Sequence, residues 1–383
     1  MGQQMAKHAY LSASASHRWL ACPPSAKLCA QEEDLGSPYA MQGTCAHELG
    51  QYLVEKALGK AVSDPTNDLS YYDSEMQEAA EGYAAFVLEQ IAAAKELCPD
   101  PLVCVEQTLD FSKWVEHGFG TGDCVIVADD LLQIIDLKYG VGVLVSASGE
   151  DGSGNSQLKC YALGALDTFG DLYDIKRIRL TIYQPRRDNV DSFDLSVEEL
   201  LKWANEILAP TAKLAYDGLG EFHAGDHCQF CKIKATCRKR AEYNSELAKY
   251  EFAPPPKLSP AEIAEILPRV DDLVNWAEDI RTYALNQALK GEKYPNFKLV
   301  EGRSVRKFRD EAQVASVVSA AGYDPYEKKL LGITAMTKQL GKKKFDELLG
   351  NYVVKPQGKP VLVPESDKRP EFSTANNDFS EKE

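Results

Sequence analysis

The chain has 383 residues, of which 44% are hydrophobic and 9% aromatic, so it can bury one large core or two moderate ones. It has no run of about 18 or more apolar residues and no apolar segment near its start, so a cytoplasmic protein without a membrane helix or secretory signal is expected. The net charge of −15 argues against a nonspecific coat for nucleic acid. The charge is uneven, however: residues 31–100 hold 3 Lys/Arg and 14 Asp/Glu, whereas residues 301–360 hold 12 Lys/Arg and 7 Asp/Glu. A locally basic DNA groove is therefore compatible with the composition.

The hydrophobic patterns, taken in chain order, predict an α/β fold with a mixed central sheet flanked by helices. They predict helices over 43–58, 75–97, 155–169 and 196–216, and strands over 102–111, 122–128, 131–138 and 178–185. The helix over 155–169 starts with an N-cap candidate, Asn155. The Pro-rich stretch "EFAPPPKLSP" at 251–260 predicts a boundary between a domain over 1–250 and a mostly helical accessory domain over 251–383. The second domain is expected to hold a long helix over 260–290, a smaller α+β part and a flexible tail of fifteen residues.

The segment "GTGDCVIVADDLLQIIDLKYG" at 120–140 places acids on strands that otherwise look buried. A two-residue turn at Asp129–Asp130 would bring Asp123 opposite Asp136, with Cβ atoms about 5 Å apart. Two carboxylates at that separation repel by roughly 3 kcal/mol at an effective dielectric constant near 20. A hard cation such as Mg²⁺ or Mn²⁺ between them would reverse the sign, and Lys138 would share the face of Asp136. The alternative is that the two acids only mark strand ends and that Lys138 pairs with one of them.

The ten cysteines fall into two groups, and thiols or metal ligands are expected rather than disulfides. Six sit among apolar or small residues and are predicted to be core residues: Cys29, Cys45, Cys98, Cys104, Cys124 and Cys160. The segment "HCQFCKIKATC" holds Cys228, Cys231 and Cys237 with the Cys-x₂-Cys spacing of a metal chelate. Three thiolates need a fourth ligand, either Cys22 or, for zinc, His223 or His227.

Four elements in order resemble the PD-(D/E)XK nuclease superfamily, in its RecB-like and Cas4-like branch. They are "GTCAH" with His47, Asp123 on a hairpin, Asp136-x-Lys138, and "QLKCY" with Gln157 and Tyr161 one helical turn apart. The sequence departs from the usual pattern in having Gly122 before the first acid and Asp136 rather than Glu. Singly, His47, Gln157 and Tyr161 are also compatible with ordinary helix positions. The segments "HAYLSASASHRWLACPPSAKL" and "GITAMTKQLGKKKFDELLG" resemble the phage and prophage family DUF2800, over nearly the whole chain.

This resemblance implies a restriction-endonuclease-like core and a metal-dependent DNA nuclease, an exonuclease by preference. It implies that His47, Asp123, Asp136 and the Leu137 carbonyl bind Mg²⁺ or Mn²⁺, that Lys138 orients a water, and that Gln157 and Tyr161 hold the scissile strand. It further implies a [4Fe–4S] cluster on Cys22, Cys228, Cys231 and Cys237, with zinc as the alternative, beside the basic run Arg238, Lys239 and Arg240.

The expected partners are DNA and phage recombination or replication proteins, in the cytoplasm of a bacterial host and without a membrane. The alternatives are a DNA-end-binding module that does not cleave, with a structural metal site, and a structural phage protein.

Overall fold

The computed structural model describes residues 9–33, 36–149, 151–246, 258–300, 308–326 and 330–354. Internal contacts divide the chain into two units, Met1–Leu299 and Val300–Glu383. The division falls later than the boundary that the Pro-rich stretch predicts at residue 250, because the long helix after that stretch is tied to the first unit by ion pairs described below. None of the described helices is long and apolar enough to cross a membrane.

The first unit is built on a five-stranded mixed sheet in the order β1-β2-β3-β4-β5, which confirms the predicted α/β fold. The strands are β1 Leu102–Asp110, β2 Phe119–Ala128, β3 Leu131–Leu137, β4 Arg177–Gln184 and β5 Asn189–Ser196. Strands β3 and β4 are parallel and the other neighbours are antiparallel. The sequence pattern did not predict β5, whose polar residues alternate between half-buried and exposed positions at the edge of the sheet.

Helices surround this sheet in the first unit. Their bounds are α1 Ser16–Ala21, α2 Ser25–Ala30, α3 Pro38–Ala57, α4 Ser74–Leu97, α5 Ser156–Phe169, α6 Val197–Trp203, α7 Ala209–Asp217, α8 Arg238–Ser245 and α9 Pro260–Leu289. The side chain of Asn155 caps α5 by accepting hydrogen bonds from two backbone N–H groups, as the sequence predicts. A π-helical turn over Ala204–Leu208 joins α6 to α7, next to Pro210, which has no N–H to donate.

The buried central strands carry apolar side chains on both faces, which explains their continuous hydrophobic runs. On one face Val125, Val127, Leu132 and Ile134 pack with α5 residues in one core cluster. On the other face Cys124, Ile126, Ile135 and Leu137 pack with α4 residues in a second cluster. The sheet is therefore a rigid platform between two helical layers.

Helix α9 belongs to the first unit because buried charges join it to α8. Arg240 is 1% exposed and donates to Asp279 over 2.6 Å and to Asp272 over 2.7 Å. Lys234 makes a further ion pair with Asp279 over 2.9 Å.

The second unit is helical over the residues that the structure describes. It contains α10 Glu311–Ala320, α11 Ile333–Leu340 and α12 Lys342–Leu349. In the described ranges 308–326 and 330–354 no strand occurs, so the predicted α+β part is not found there. The predicted tail lies outside the described residues.

Candidate functional site

The β2–β3 hairpin has the register that the sequence predicts. Ala128 pairs with Leu131, and the pairing runs to Cys124 opposite Ile135. The turn residue Asp129 has a φ of 55°. Continuing the register by one residue places Asp123 opposite Asp136, so two acids on neighbouring strands meet at one end of the hairpin.

Asp123 is buried and is held on both of its oxygens. His47 Nδ1 lies 3.1 Å from Oδ1, and the Leu137 backbone N–H donates to Oδ2 over 2.6 Å. His47 comes from α3, which approaches β3 closely at Gly50, one turn further along. A Cβ at Gly50 would lie only 3.1 Å from the ring of Tyr83 on α4 and 3.4 Å, an ordinary contact distance, from Leu137 on β3, so this glycine chiefly allows α3 to pack closely on α4. Helix α3, which carries His47, and the Leu137 N–H on β3 thus hold Asp123 from two sides.

Glu106 on β1 completes a group that the sequence analysis missed. The ligand atoms of His47, Glu106 and Asp123 all lie within 4.8 Å of one another. In the β1–β2 ladder Val105 pairs with Cys124 and Gln107 pairs with Gly122. Glu106 therefore lies opposite Asp123, at the one position where the pairing between the two strands is interrupted. Glu106 has a φ of 51°, a left-handed conformation that costs a non-glycine residue about 1–3 kcal/mol. The only local signal was an acid in the middle of an apolar strand.

The charges of this three-residue group perturb one another. Burial lowers the pKa of His47, but the neighbouring Asp123 carboxylate outweighs it and raises the pKa to about 9. Burial, and then the charge of Asp123, raise the pKa of Glu106 to about 7. Burial also raises the pKa of Asp136, against the effect of Lys138. The site therefore holds more negative charge than its burial can accommodate without protons or a cation.

Asp136 lies outside the three-residue group and begins a network of polar side-chain contacts that leads to α5. Lys138 Nζ lies 2.8 Å from Asp136 Oδ2, an ion pair whose angles do not make it a hydrogen bond. Gln157 Nε2 donates to Asp136 Oδ1 and to the hydroxyl of Tyr161, both over 3.1 Å, and Lys138 Nζ donates to Gln157 Oε1 over 2.9 Å. The structure thus joins four residues of the predicted site in one network: Asp136, Lys138, Gln157 and Tyr161.

Tyr161 packs against the sheet because Gly120 leaves room for its ring. A Cβ at Gly120 would lie 2.7 Å from a ring carbon of Tyr161. Burial raises the pKa of Tyr161 well above its usual range, so its hydroxyl stays neutral. The Tyr83 hydroxyl on α4 is also buried and neutral, and it has no hydrogen-bond partner among the described residues. Burial raises the pKa of Tyr83 most, and Cys124 and the charges of Asp123, Glu106 and Asp136 raise it further.

The four cysteines predicted to bind a metal line a single small cavity of about 10 Å³: Cys22, Cys228, Cys231 and Cys237. His223 and His227 line it too, and His227 Nε2 donates to the His223 backbone carbonyl over 3.0 Å. The α1–α2 segment therefore meets the segment before α8 at this cavity. Both candidate ligand sets, four thiolates or three with a histidine, line this cavity, but among the described residues their ligand atoms do not all lie within 4.8 Å of one another.

Cys29 has a more specific environment than the core position that its neighbours predict. Its sulfur lies 3.6 Å from the sulfur of Cys231, and the Lys232 N–H donates to it over 3.3 Å. The contact with Cys231 lowers the pKa of Cys29 to about 6, against the effect of burial, while the pKa of Cys231 is raised. A fifth thiol is thus next to the cavity.

The basic run Arg238, Lys239 and Arg240, which was predicted to bind DNA, lies at the start of α8, and its three residues differ in exposure. Arg238 and Lys239 are exposed on α8. Arg240 is buried and neutralised by Asp272 and Asp279, so its prediction as a DNA-binding residue was wrong. The reason is the long-range packing of α9 on α8, which no local pattern indicates.

Comparisons with known proteins confirm the resemblance to the DUF2800 family. Among solved structures, the crystal structure of SSO0001 matches at 14% identity over 50% of this chain and 95% of that chain, with a TM-score of 0.24. A TM-score that low does not support a shared fold. The sequence matches the family described as "Protein of unknown function (DUF2800)" over residues 8–370. Because this match spans nearly the whole chain, the protein belongs to the DUF2800 family.

Proposed function

We propose that the protein is a divalent-metal-dependent nuclease that hydrolyses phosphodiester bonds in DNA. The observation that carries the proposal is the convergence of His47, Glu106 and Asp123 within 4.8 Å of one another, next to the network of polar contacts that begins at Asp136. An imidazole with carboxylate oxygens is a donor set for Mg²⁺ or Mn²⁺. The raised pKa values of His47 and Glu106 and the unpartnered Tyr83 hydroxyl fit a site that is completed by a cation.

In this proposal His47, Glu106 and Asp123 would hold the ion, and Asp136 and the Leu137 carbonyl are further candidate ligands. The ion would lower the pKa of a water and neutralise charge on the phosphate. Lys138 and Gln157 would orient the attacking water, because Gln157 fixes the ammonium group on one side and Asp136 fixes it on the other. Tyr161 and Gln157 would position the scissile strand. The Leu137 N–H holds one oxygen of Asp123, and the other oxygen lies beside His47.

The cysteine cavity is proposed as a structural metal site. Four sulfur donors around one cavity suit a [4Fe–4S] cluster, and His227 beside Cys22 keeps a zinc site as the alternative. Either group would join the N-terminal helices to the segment before α8. An iron, acid-labile sulfide and zinc determination on anaerobically purified protein distinguishes them.

The DNA substrate, a role in phage recombination or replication, and a place in the host cytoplasm are parts of the same proposal. Their support is the geometry of the acidic site together with the sequence resemblance to the nuclease superfamily and to phage and prophage proteins given above. Arg238 and Lys239, both exposed beside the cysteine cavity, are the proposed contacts to the DNA backbone.

The test is digestion of end-labelled single- and double-stranded DNA by the full-length protein with Mn²⁺ or Mg²⁺, and with EDTA. We expect cleavage that needs the metal and a fall of at least about 100-fold for Asp123→Asn and for Lys138→Ala, in line with the loss of electrostatic or proton-transfer groups at other catalytic sites. Asp129→Asn is the matched control, since it removes an acid from the turn of the same hairpin, whose left-handed conformation Asn tolerates.

Full cleavage by Asp123→Asn would contradict the site assignment. DNA binding without cleavage in Mn²⁺ by the wild-type protein would favour the second candidate, a module that binds DNA ends. The intact set of His47, Asp123, Asp136 and Lys138 favours the nuclease.

A further inference from the structure

Cys29 and Cys231 come from the two ends of the first unit and meet in its interior. Their sulfurs lie 3.6 Å apart, although 202 residues separate them in the chain. The two residues are buried, at 5% and 8% exposed. The Lys232 N–H, directly after Cys231, donates to the Cys29 sulfur and holds it against its neighbour.

Cys231 has a different neighbour on each side. It lines the cavity together with Cys22, Cys228 and Cys237, whereas Cys29 does not line this cavity. Four thiolates complete the ligand set of a cluster or a zinc ion, so Cys29 is not needed as a ligand. It lies behind a proposed ligand and contacts it through sulfur.

We propose that Cys29 and Cys231 form a disulfide when the cavity holds no metal. The sulfurs need to approach by only about 1.5 Å to reach the bond length of about 2.05 Å. The new bond would join α2 to the segment before α8, the same two segments that the metal site joins. One cross-link would thus replace the other, and the long loop between the cysteines would make the disulfide effective at restricting the unfolded chain.

The reaction needs a two-electron oxidant, and a hydroperoxide reaching Cys231 through the cavity supplies it. Cys231 first passes its proton to the Cys29 sulfur 3.6 Å away, and the resulting Cys231 thiolate attacks the peroxide oxygen and becomes a sulfenic acid, releasing hydroxide. The Cys29 thiolate then attacks the Cys231 sulfur, the S–S bond forms, and a second hydroxide leaves. The two hydroxides take up the two thiol protons, so two thiols and one hydrogen peroxide give one disulfide and two waters.

Formation of this bond removes Cys231 from the ligand set and leaves three cysteines at the cavity. The disulfide would therefore block reloading of the metal until a thiol reduces it. This consequence rests on the proposed metal site, but the disulfide itself does not, and neither depends on nuclease activity.

The experiment starts from full-length protein stripped of metal with a chelator under reducing conditions and then exposed to hydrogen peroxide. We expect a mass lower by two hydrogen atoms and a peptide linking Cys29 to Cys231 in a non-reducing digest. We also expect a rise in Tm that dithiothreitol reverses. Metal-loaded protein should form the bond several-fold more slowly.

Cys29→Ala should abolish the linked peptide and the rise in Tm while keeping the wild-type metal content, and Cys45→Ala is the control that keeps both. A Cys228–Cys231 peptide in place of the expected one would overturn the proposal. A loss of metal in Cys29→Ala as large as in Cys231→Ala would overturn it too, since Cys29 would then be a ligand. If Cys29→Ala does not fold, alkylation of the wild-type protein tests the proposal instead. Oxidation must then protect Cys29 and Cys231 together from the alkylating reagent.

Discussion

At the scale of single residues, Glu106 combines a left-handed backbone with a buried carboxylate beside His47 and Asp123. A bulky residue seldom adopts a positive φ within a strand, and such strain persists where the surrounding structure fixes it. Its cost is offset only if the side chain is used at this place. Ligation of a cation is the use that the neighbouring donors indicate.

Substituting Glu106 separates its backbone strain from its side-chain role. Glu106→Gly and Glu106→Ala both remove the carboxylate, and both should weaken Mn²⁺ binding by at least about tenfold, through the loss of an anionic ligand. The glycine variant should exceed the alanine variant in unfolding free energy by about 1 kcal/mol without metal, since glycine adopts positive φ without penalty. Urea unfolding in EDTA and Mn²⁺ titration measure the two effects. Equal stability of the two variants would contradict the strain.

The pKa values of His47 and Glu106 predict how pH acts on the metal-free protein. The His47 pKa rises from 6.5 to about 9 on folding, so its stabilisation is complete below 6.5 and is lost as pH rises through 9. The Glu106 pKa rises from 4.5 to about 7, which favours the neutral acid and adds a loss of stability as pH rises from 4.5 to about 7. In EDTA the Tm should therefore fall between pH 6.5 and 9, and less in His47→Gln than in the wild type.

Metal affinity should change with pH in the opposite direction. Ligands must lose their protons to bind a metal, so Mn²⁺ binding near pH 8 should release a proton from His47 and become tighter as pH rises. Calorimetry in two buffers of different ionisation enthalpy measures the released protons. No release in the wild type, or the same release in His47→Gln, would contradict ligation by His47.

At the scale of elements, the site depends on how closely α3 and α5 approach the sheet. Gly120 lets α5 bring Tyr161 and Gln157 to Asp136, and Gly50 lets α3, which carries His47, pack closely on α4. Each glycine stands where a Cβ would meet a ring, of Tyr161 on α5 for Gly120 and of Tyr83 on α4 for Gly50. The position of the site residues thus depends also on two backbone contacts outside those residues.

Gly120→Ala tests this control of distance. The added Cβ would lie 2.7 Å from the Tyr161 ring, so we expect a loss of about 1–3 kcal/mol in unfolding free energy and a weakened Gln157–Asp136 contact. Gly43→Ala is the control: no atom lies within 4 Å of a Cβ there, and alanine should stabilise α3 by about 0.5–1 kcal/mol. Urea unfolding measures both, and equal behaviour of the two variants would refute the steric account.

At the scale of the whole molecule, long-range charges decide which segments belong to the first unit. Arg240, Asp272 and Asp279 join α8 to α9 across the Pro-rich stretch. Removing one partner of a buried ion pair leaves the others uncompensated, which is costly. The predicted boundary at 250 followed local composition, whereas the division at 299 follows these contacts.

Arg240→Ala should therefore destabilise the first unit. We expect a loss of about 3 kcal/mol, at the low end for buried pairs, because Asp272 is 24% exposed and Asp279 16%. Arg281→Ala is the control, since Arg281 pairs with Glu278 on the surface of the same helix and should leave the unfolding midpoint nearly unchanged. DNA affinity should fall less in Arg240→Ala than in Lys239→Ala, which would not hold if Arg240 contacted DNA.

The sequence by itself determined the β2–β3 register, the capped start of α5 and the grouping of Cys228, Cys231 and Cys237, because each depends on spacing within a short segment. Period-2 alternation and a two-residue turn were sufficient to place Asp123 opposite Asp136. Only the tertiary structure decided the positions of Glu106 beside His47, Cys29 beside Cys231 and Arg240 between two aspartates. Each of these requires two segments far apart in the chain to pack together, and no local pattern encodes which partner a strand edge, a thiol or an arginine will meet.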